Sequence, residues 1–332
     1  MLKRFVLAAV IAAGFAPGAM AQSFNFGLWG DMPYEKAGDA PKMGALIDSI
    51  NAANIDLSLY DGDIKDGSSQ CTEAIYSDAL KMFDMLKKPV FYIPGDNEWT
   101  DCHRTNNGGF NNLERLDHLR KVMFPTTDSL GQTKLPATRQ GKLGEKFVEN
   151  MRAVHKNIVF VGLNVPGSNN NKVLDEKDCT NKSARDAAQC AADNAEYAER
   201  DAANVAWLQE SFKVARDSKA PGIVVVIQAD PGFDWPETED VDESKDPTRE
   251  GYRNFMSKLI AETETYAGQV LFVHGDTHFF KYDKPLYSPT KMLANFTRLQ
   301  TFGSPSIHWV NVAVDPASQE VFTVRPVIVK QK

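Results

Sequence analysis

Short apolar runs that each end directly in a polar loop recur along this sequence and limit the folds that it can adopt. The runs are rich in Val, Ile and Phe and cover residues 24–29, 55–60, 89–93, 158–163, 222–227 and 270–274. Longer stretches separate them, and helical spacing of apolar residues occurs at 41–53, 77–87, 194–215 and 249–265. This alternation predicts an α/β fold, in which buried strands lead into functional loops.

After residue 299 the pattern changes to strands without helices, at 299–302, 308–314 and 320–329, with a turn around Asp315 and Pro316. We expect a terminal antiparallel section on the same sheet system, within a single domain that has no internal repeat. Two polar stretches, 168–189 and the strongly acidic 234–246, are interpreted as solvated surface loops. The acidic stretch follows a candidate ligand position, so it could instead form part of the rim of a site.

The first 21 residues have the layout of a cleavable secretory signal peptide. Lys3 and Arg4 precede an apolar run over 5–15, and the small-residue sequence Ala19-Met20-Ala21 follows. A retained membrane anchor is the alternative, but this run is short, and no later stretch approaches the roughly 20 apolar residues that a membrane helix needs. We therefore expect a mature chain over 22–332 that is periplasmic or secreted, with no membrane attachment after cleavage.

Composition and cysteine usage narrow the class of protein further. At 42% hydrophobic and 24% charged residues the chain is ordinary for a globular protein, and its formal net charge of -7 argues against a general nucleic-acid binder. Its four cysteines favour two disulfides in an exported chain, because the Cys-x-x-Cys spacing typical of zinc sites is absent. Of the three connectivities we favour Cys71 with Cys102, which would join two loops of the candidate site, and Cys179 with Cys190.

Polar motifs follow the predicted strands one after another. They are Asp31-Met32-Pro33, Gly62-Asp63-x-x-Asp66, Gly95-Asp96-Asn97-Glu98, Gln228-Ala229-Asp230 and Gly275-Asp276-Thr277-His278. Each motif alone is a weak signal, because Gly-Asp is a common turn and an isolated Asp is more often a helix cap. Ligands of open α/β sheets bind at the carboxyl ends of strands, so the joint order of the motifs predicts that their loops converge on one site.

In this order the motifs resemble those of the calcineurin-like metallophosphoesterases, whose pattern is Asp-x-His, Gly-Asp-x-x-Asp, Gly-Asn-His-Asp/Glu, a lone His and Gly-His-x-His. The resemblance covers about residue 24 to about residue 315. It implies a four-layer α/β sandwich of two mixed β-sheets flanked by α-helices, with a site for two divalent metal ions. The ligands of the first metal would be Asp31, Asp63 and His278, with Asp63 bridging both ions. Pro33 stands where the family has a further His.

At the second metal the resemblance places Asp96, Gln228 and Asp276 where the family has Asn, His and His. Asn97 takes the position of the family's catalytic His, and Glu98 matches its final acid. The three replacements offer oxygen donors, which favours Mg²⁺, Mn²⁺ or Ca²⁺ over the alternatives Fe and Zn. Four carboxylates around one cavity would also require cations or large pKa shifts.

The activity implied by the resemblance is hydrolysis of a small phosphomonoester or phosphodiester by metal-activated water. His103 could replace the missing general acid, with an ordinary surface histidine as the alternative, and Arg104 could neutralise phosphate charge. The second hypothesis, supported by Pro33 and Asn97, is a non-catalytic metal- or ligand-binding protein on the same fold. A different hydrolase is less favoured, because Gly-x-Ser-x-Gly, P-loop and Gly-x-Gly-x-x-Gly motifs are absent from the sequence.

Other residues near the motifs are weaker candidates. Tyr34 and Lys65 are candidate substrate contacts, and a salt bridge to a neighbouring Asp is an equal alternative for Lys65. His274 lies on an apolar strand and is interpreted mainly as a packing residue, whereas His308 could approach the metals from the terminal strands. The sequence does not indicate an oligomeric state.

Overall fold

The computed structural model describes residues 22–233, 243–288 and 291–330. The predicted signal peptide, residues 1–21, and most of the acidic stretch 234–246 lie outside these described residues. The described strands form two large mixed sheets that face each other, and helices cover their outer sides. This arrangement confirms the predicted α/β class and the two flanked mixed sheets.

The strands are short, and most are buried. Numbered along the chain, they are β1 (Phe24–Trp29), β2 (Leu57–Tyr60), β3 (Val90–Tyr92), β4 (Thr138–Arg139), β5 (Met151–His155), β6 (Ile158–Gly162), β7 (Gly222–Val226), β8 (Gln269–His274), β9 (Lys281–Asp283), β10 (Tyr287–Ser288), β11 (Lys291–Met292), β12 (Phe296–Gln300), β13 (Trp309–Val314) and β14 (Phe322–Val327). Strands β6 and β7 are buried along their whole length, because both faces of the sheet are covered.

The first sheet has the strand order β14-β13-β1-β2-β3, and the second has the order β4-β5-β6-β7-β8-β12-β9. Parallel pairing joins β1, β2 and β3 in the first sheet and β6, β7, β8 and β12 in the second. The outer strands pair antiparallel, and β10 with β11 forms a small separate sheet. The terminal section was therefore predicted only in part, because β12 extends the parallel pairing while β13 and β14 are antiparallel.

The helices are α1 (Ala40–Ala52), α2 (Glu73–Asp84), α3 (Asn112–Met123), α4 (Gly167–Asn170), α5 (Glu176–Thr180), α6 (Ala187–Asp217) and α7 (Arg253–Thr265). Phe26 of the first sheet packs between the sheets with Phe160 and Leu271 of the second. On the outer sides, Leu119 of α3 packs on the first sheet and Phe212 of α6 on the second. Burial of each such side chain contributes about 1.5–3 kcal/mol, which holds the four layers together.

Most predicted elements are present in the structure, although α6 begins at residue 187 and not at residue 194 as predicted, and α3, β5 and several short elements were not predicted. The apolar face of α3 is interrupted by Arg115 and Arg120, two buried cations that obscure the helical pattern. Both predicted disulfides are confirmed, with Cα–Cα distances of 5.7 Å for Cys71–Cys102 and 5.9 Å for Cys179–Cys190. Among the described residues, no helix has both the length and the apolar character needed to cross a membrane.

Candidate metal centre

The loops after β1, β2, β3, β7 and β8 carry the predicted metal ligands, and the structure brings these loops together. Asp31, Asp63, Asp96 and Gln228 are buried, and Asp276 is half-buried beside them. Hydrogen bonds and charge interactions described below relate these residues to one another, so we call Asp31, Asp63, Asp96, Gln228, Asp276 and His278 the carboxylate cluster. The convergence predicted from the order of the motifs is therefore observed at the ends of the parallel strands.

Several residues of the carboxylate cluster have an unusual backbone conformation. Asp31, Asp63, Asp276 and His278 have φ angles of 49°, 63°, 73° and 64°, in the left-handed region that non-glycine residues rarely adopt. Each such residue costs on the order of 1–3 kcal/mol and persists only where surrounding contacts hold it. Strain of this kind is concentrated at functional sites, and here it turns the side chains of successive loops toward one another.

Asp31 is the centre of the first half of the cluster. Its two carboxylate oxygens accept hydrogen bonds from the backbone N–H of Asp276 at 3.1 and 3.2 Å. Nδ1 of His278 lies 2.7 Å from the carbonyl oxygen of Ser304 and so donates to it. This bond directs Nε2 of His278 toward Asp31, at 3.6 Å, and toward the Tyr34 hydroxyl, at 3.3 Å. A histidine held through one ring nitrogen, with the other facing carboxylates, is the usual geometry of a metal ligand.

Asp63 is held by hydrogen bonds from Asn97 and Tyr34. Asn97 donates to its carboxylate through the side-chain amide, at 2.7 Å, and through the backbone N–H, at 3.2 Å. The Tyr34 hydroxyl donates to the same carboxylate at 2.9 Å. Pro33 has no polar side-chain group, but the next residue, Tyr34, places its hydroxyl beside Asp63.

Asp96 is held from the other side of the cluster. Nε2 of Gln228 donates to one Asp96 oxygen at 3.1 Å, and the Ser168 hydroxyl contacts the other at 2.8 Å. The amide oxygen of Gln228 accepts from the backbone N–H of Gly167 at 2.5 Å. In this arrangement Gln228 positions Asp96 and does not present its oxygen to a cation, and its predicted role as a ligand stays a prediction.

Comparison with solved structures places this arrangement in a known fold. The structure is similar to that of PhoD, with a TM-score of 0.56 and 12% sequence identity over 91% of this chain and 65% of the PhoD chain. The chain has the calcineurin-like metallophosphoesterase fold. A purple acid phosphatase from yellow lupin (Lupinus luteus) seeds is also similar, with a TM-score of 0.49 and 11% identity over 93% of this chain and 55% of that one. No family model and no curated protein matches the sequence.

Within this metallophosphoesterase fold, the cluster carries carboxyl groups with strongly perturbed pKa values. Burial, and then the negative charges of Asp96 and Asp31, raise the pKa of Asp63 well above its ordinary value. Burial and Asp96 likewise raise the pKa of Asp276 well above its ordinary value. Burial lowers the pKa of His278, but the hydrogen bonds to Asp31 and Ser304 and the negative charges of Asp31 and Asp276 together outweigh burial and raise it. The cluster therefore takes up protons when no cation neutralises it.

The residues present fit divalent cations by their chemistry. A Cβ atom added to Gly95, Gly167 or Gly275 would lie less than 3.0 Å from a carboxylate oxygen of the cluster, so the loops can approach these oxygens only as glycines. The donors are oxygen atoms and one imidazole, a set that suits hard divalent ions. As the side chains stand, they hydrogen bond to one another, and no group of three His, Cys, Asp or Glu among the described residues is drawn together around an ion position.

The predicted catalytic residues His103 and Arg104 lie on a cavity next to the cluster. Arg104 pairs with Asp101 at 2.6 Å and donates to the Ser168 hydroxyl, which also contacts Asp96. Burial, followed by the charges of Arg185 and Arg104, lowers the pKa of His103 to about 3. His103 is therefore neutral near pH 7 and cannot act as a general acid in the ligand-free protein.

Other candidate residues have structural roles. Glu98 accepts from the backbone N–H groups of Gly95, at 2.7 Å, and Asp63, at 3.2 Å, so it fixes two cluster loops to each other. His274 is fully buried, and burial lowers its pKa to about 4, in agreement with a packing role. Nδ1 of His308 accepts from the backbone N–H of Val329, which ties it to the end of the chain.

One residue of the site, Ser168, was not predicted from the sequence. Ser168 begins the stretch 168–189, which was interpreted as a solvated loop, yet its hydroxyl contacts both Asp96 and Asp101. The interpretation as a solvated loop was wrong for Asn170 and Asn171, which are buried. The run of Asn residues at 169–171 could have indicated an ordered segment, because Asn side chains hydrogen bond to backbone groups in turns and irregular segments.

Proposed function

We propose that this protein is an exported, metal-dependent phosphoesterase that hydrolyses a phosphomonoester or a phosphodiester. The observation that supports this most directly is the joining of Asp31, Asp63, Asp96 and Asp276 in one cluster of a metallophosphoesterase fold. Buried carboxylates that raise each other's pKa are stabilised by divalent cations. Two disulfides agree with an oxidising compartment and thus support export.

Two ions would be held by the predicted ligands, with Asp31, Asp63 and His278 at one position and Asp63, Asp96 and Asp276 at the other. The oxygen-rich set favours Mg²⁺, Mn²⁺ or Ca²⁺ over Fe or Zn. When bound, such ions neutralise a phosphoryl group and activate water.

The residues around the ligands would orient them. Asn97 and Tyr34 hold Asp63, and Ser168 holds Asp96, so each carboxylate keeps a fixed direction. The side chain of Arg104 is 38% exposed toward the cavity, where its guanidinium can bind a phosphate group of the substrate. Because His103 is neutral, we do not assign the proton of the leaving group to it.

The decisive experiment is hydrolysis of p-nitrophenyl phosphate and of its bis-ester by protein that is stripped of metal and then resupplied with single metals. We expect turnover that depends on Mg²⁺, Mn²⁺ or Ca²⁺ and falls by at least about a hundredfold in Asp63→Asn, because the bridging carboxylate is lost. Bound metal is measured in parallel, and we expect the same variant to lose it. Asp201→Asn makes the same chemical change at a buried position on α6 and should leave both readouts unchanged.

A non-catalytic binding protein is the second candidate, because the ligand side chains are hydrogen bonded to one another and not drawn around an ion position within the described residues. For this candidate, metal would bind with measurable stoichiometry but neither ester would be hydrolysed. Turnover that persists in Asp63→Asn would contradict both candidates.

A further inference from the structure

A large cavity adjoins the carboxylate cluster. Its volume is about 620 Å³, within the range of roughly 300–1,000 Å³ typical of small-molecule sites. Asp276 and Ser168 of the cluster region form part of its wall, and Arg104 and Lys182 form another part. The cavity is much larger than one phosphate group requires, so it has room for a second functional group of a substrate.

The cavity wall carries five cationic side chains beside four carboxylates, those of Asp101, Asp178, Asp230 and Asp276, although the chain as a whole has a net charge of -7. The cationic side chains on its wall are Arg104, Lys172, Lys182, Arg185 and Arg249. Three of them lie near carboxylates: Lys172 is 3.0 Å from Glu250, Arg185 is 3.0 Å from Asp193, and Arg249 is 3.9 Å from Asp230. Lys182 is exposed and forms no ion pair with any residue in the described ranges. Arg104 pairs with Asp101 but keeps part of its guanidinium open to the cavity.

The backbone holds Lys182 next to Arg104. Arg104 and Ser183 form an isolated antiparallel β-bridge, and the backbone N–H of Thr105 donates to the carbonyl oxygen of Lys182 at 2.9 Å. Lys182 has a φ angle of 52°, a left-handed conformation that is rare for a lysine and costs on the order of 1–3 kcal/mol. The main chains of Arg104 and Lys182 are thus held next to each other, and both residues line the cavity.

The two disulfides lie close to this pair in sequence. Cys102 precedes Arg104 by two positions, and Cys179 precedes Lys182 by three. Each bridge anchors one of the two paired segments to another part of the chain. Because its main chain is held and it has no ion pair in the described ranges, Lys182 is free to bind an anion, and the restrained backbone lowers the entropic cost of binding.

We propose that Arg104 and Lys182 form a second anion subsite and that the substrate is a small molecule with two phosphate groups. One phosphate would be hydrolysed at the carboxylate cluster, and the other would be bound by the guanidinium and ammonium groups. The Ser168 hydroxyl contacts both Arg104 and Asp96 of the cluster, so Arg104 lies close to the cluster. The two phosphate groups would therefore belong to one compact molecule. This inference rests on the proposed phosphoesterase function, to which it adds a substrate class.

The test uses linear alkane bisphosphonates of increasing chain length, each compared with the alkyl monophosphonate of the same length. These compounds are not hydrolysed, and calorimetry in excess Mg²⁺ measures their affinity for the full mature protein. We expect at least one bisphosphonate to bind about tenfold more tightly than its monophosphonate, the effect of one added charged contact. Lys182→Met should remove this advantage and leave the monophosphonate affinity unchanged, whereas Lys182→Arg should keep most of it.

Lys177→Met is the matched control, because Lys177 is exposed on α5 and lies off the cavity wall. This control should bind both classes of compound as the wild type does. If monophosphonates bind and bisphosphonates of every chain length bind with the same affinity as their monophosphonates, the second anion subsite is overturned but the proposed phosphoesterase function is not. An equal loss of both classes in Lys182→Met would also overturn the subsite. Failure of the wild type to bind any phosphonate would overturn the proposed function as well.

Discussion

Individual carboxyl groups of the cluster should control how the stability of the protein depends on pH. Burial and neighbouring carboxylates raise the pKa of Asp63 and Asp276, so the folded protein holds these protons more tightly than the unfolded chain does. The resulting contribution to the free energy of unfolding is fully present below the carboxyl pKa of the unfolded chain, about 4. It is lost as the pH rises through the pKa of the folded state. Cations that neutralise the carboxylates would offset this loss.

We therefore expect the metal-free protein to lose stability when the pH is raised from about 5 to about 8. Asp63→Asn should show a smaller loss, because it lacks one of the carboxyls that must ionise. Urea unfolding in a chelating buffer at the two pH values measures the difference. Asp78→Asn, at an exposed position on α2, is the control and should follow the wild type. Identical pH dependence in Asp63→Asn and the wild type would contradict the assigned pKa shift.

At the scale of elements, the disulfides anchor the irregular segments around the cavity. Cys102 lies in the 3-10 turn Thr100–His103, and Cys179 lies in the short helix α5, and neither element is long enough to be stable alone. The bridges link these elements to Cys71, just before α2, and to Cys190, in the first turns of α6. The cavity wall thus depends on covalent links as well as packing.

Removing each disulfide should destabilise the protein by an amount that follows its loop length. The sequence separations are 31 residues for Cys71–Cys102 and 11 residues for Cys179–Cys190. The entropy of the unfolded chain then predicts losses of about 4 and about 3 kcal/mol for the paired Cys→Ala variants. Chemical unfolding of both variants against the oxidised wild type tests this, and an unchanged midpoint for either pair would contradict it.

At the scale of the whole molecule, a buried ion pair ties one outer helix to the second sheet. Arg120 of α3 donates through Nε and Nη2 to both oxygens of Glu149, at 2.9 and 2.7 Å. Glu149 precedes β5 and is fully buried, and Asn164 donates to it at 3.0 Å. Burial raises the pKa of Glu149, but the positive charge of Arg120 and the hydrogen bonds from Arg120 and Asn164 together outweigh burial and lower it, so the carboxylate stays charged.

Glu149→Gln should therefore lower the free energy of unfolding by about 3–5 kcal/mol, because Arg120 would be left as a buried charge without its partner. The matched control is Glu210→Gln, whose carboxylate pairs with Arg152 at 2.9 Å but is 54% exposed. An exposed pair of this kind contributes about 0–1 kcal/mol. Denaturant unfolding of both variants gives the comparison, and equal losses would contradict the role assigned to burial.

Local sequence was enough to predict most of the buried strands, the strand-end motifs and both disulfides. Buried parallel strands such as β6 and β7 are apolar along their whole length, and Gly and Asp mark the loops that follow, so both can be recognised within a short window. Helix α3 could not be recognised in this way, because Arg115 and Arg120 are buried by partners that are distant in sequence.

The sequence by itself determined which residue types stand at the strand ends, and hence the oxygen-rich character of the cluster. Only the tertiary structure decided that the Tyr34 hydroxyl binds Asp63, that Gln228 turns its amide nitrogen toward Asp96, and that Lys182 lies beside Arg104. The physical reason is that each of these contacts joins segments far apart in the chain. Their geometry is set by how the two sheets and the anchored loops pack, which spacing in the sequence does not encode.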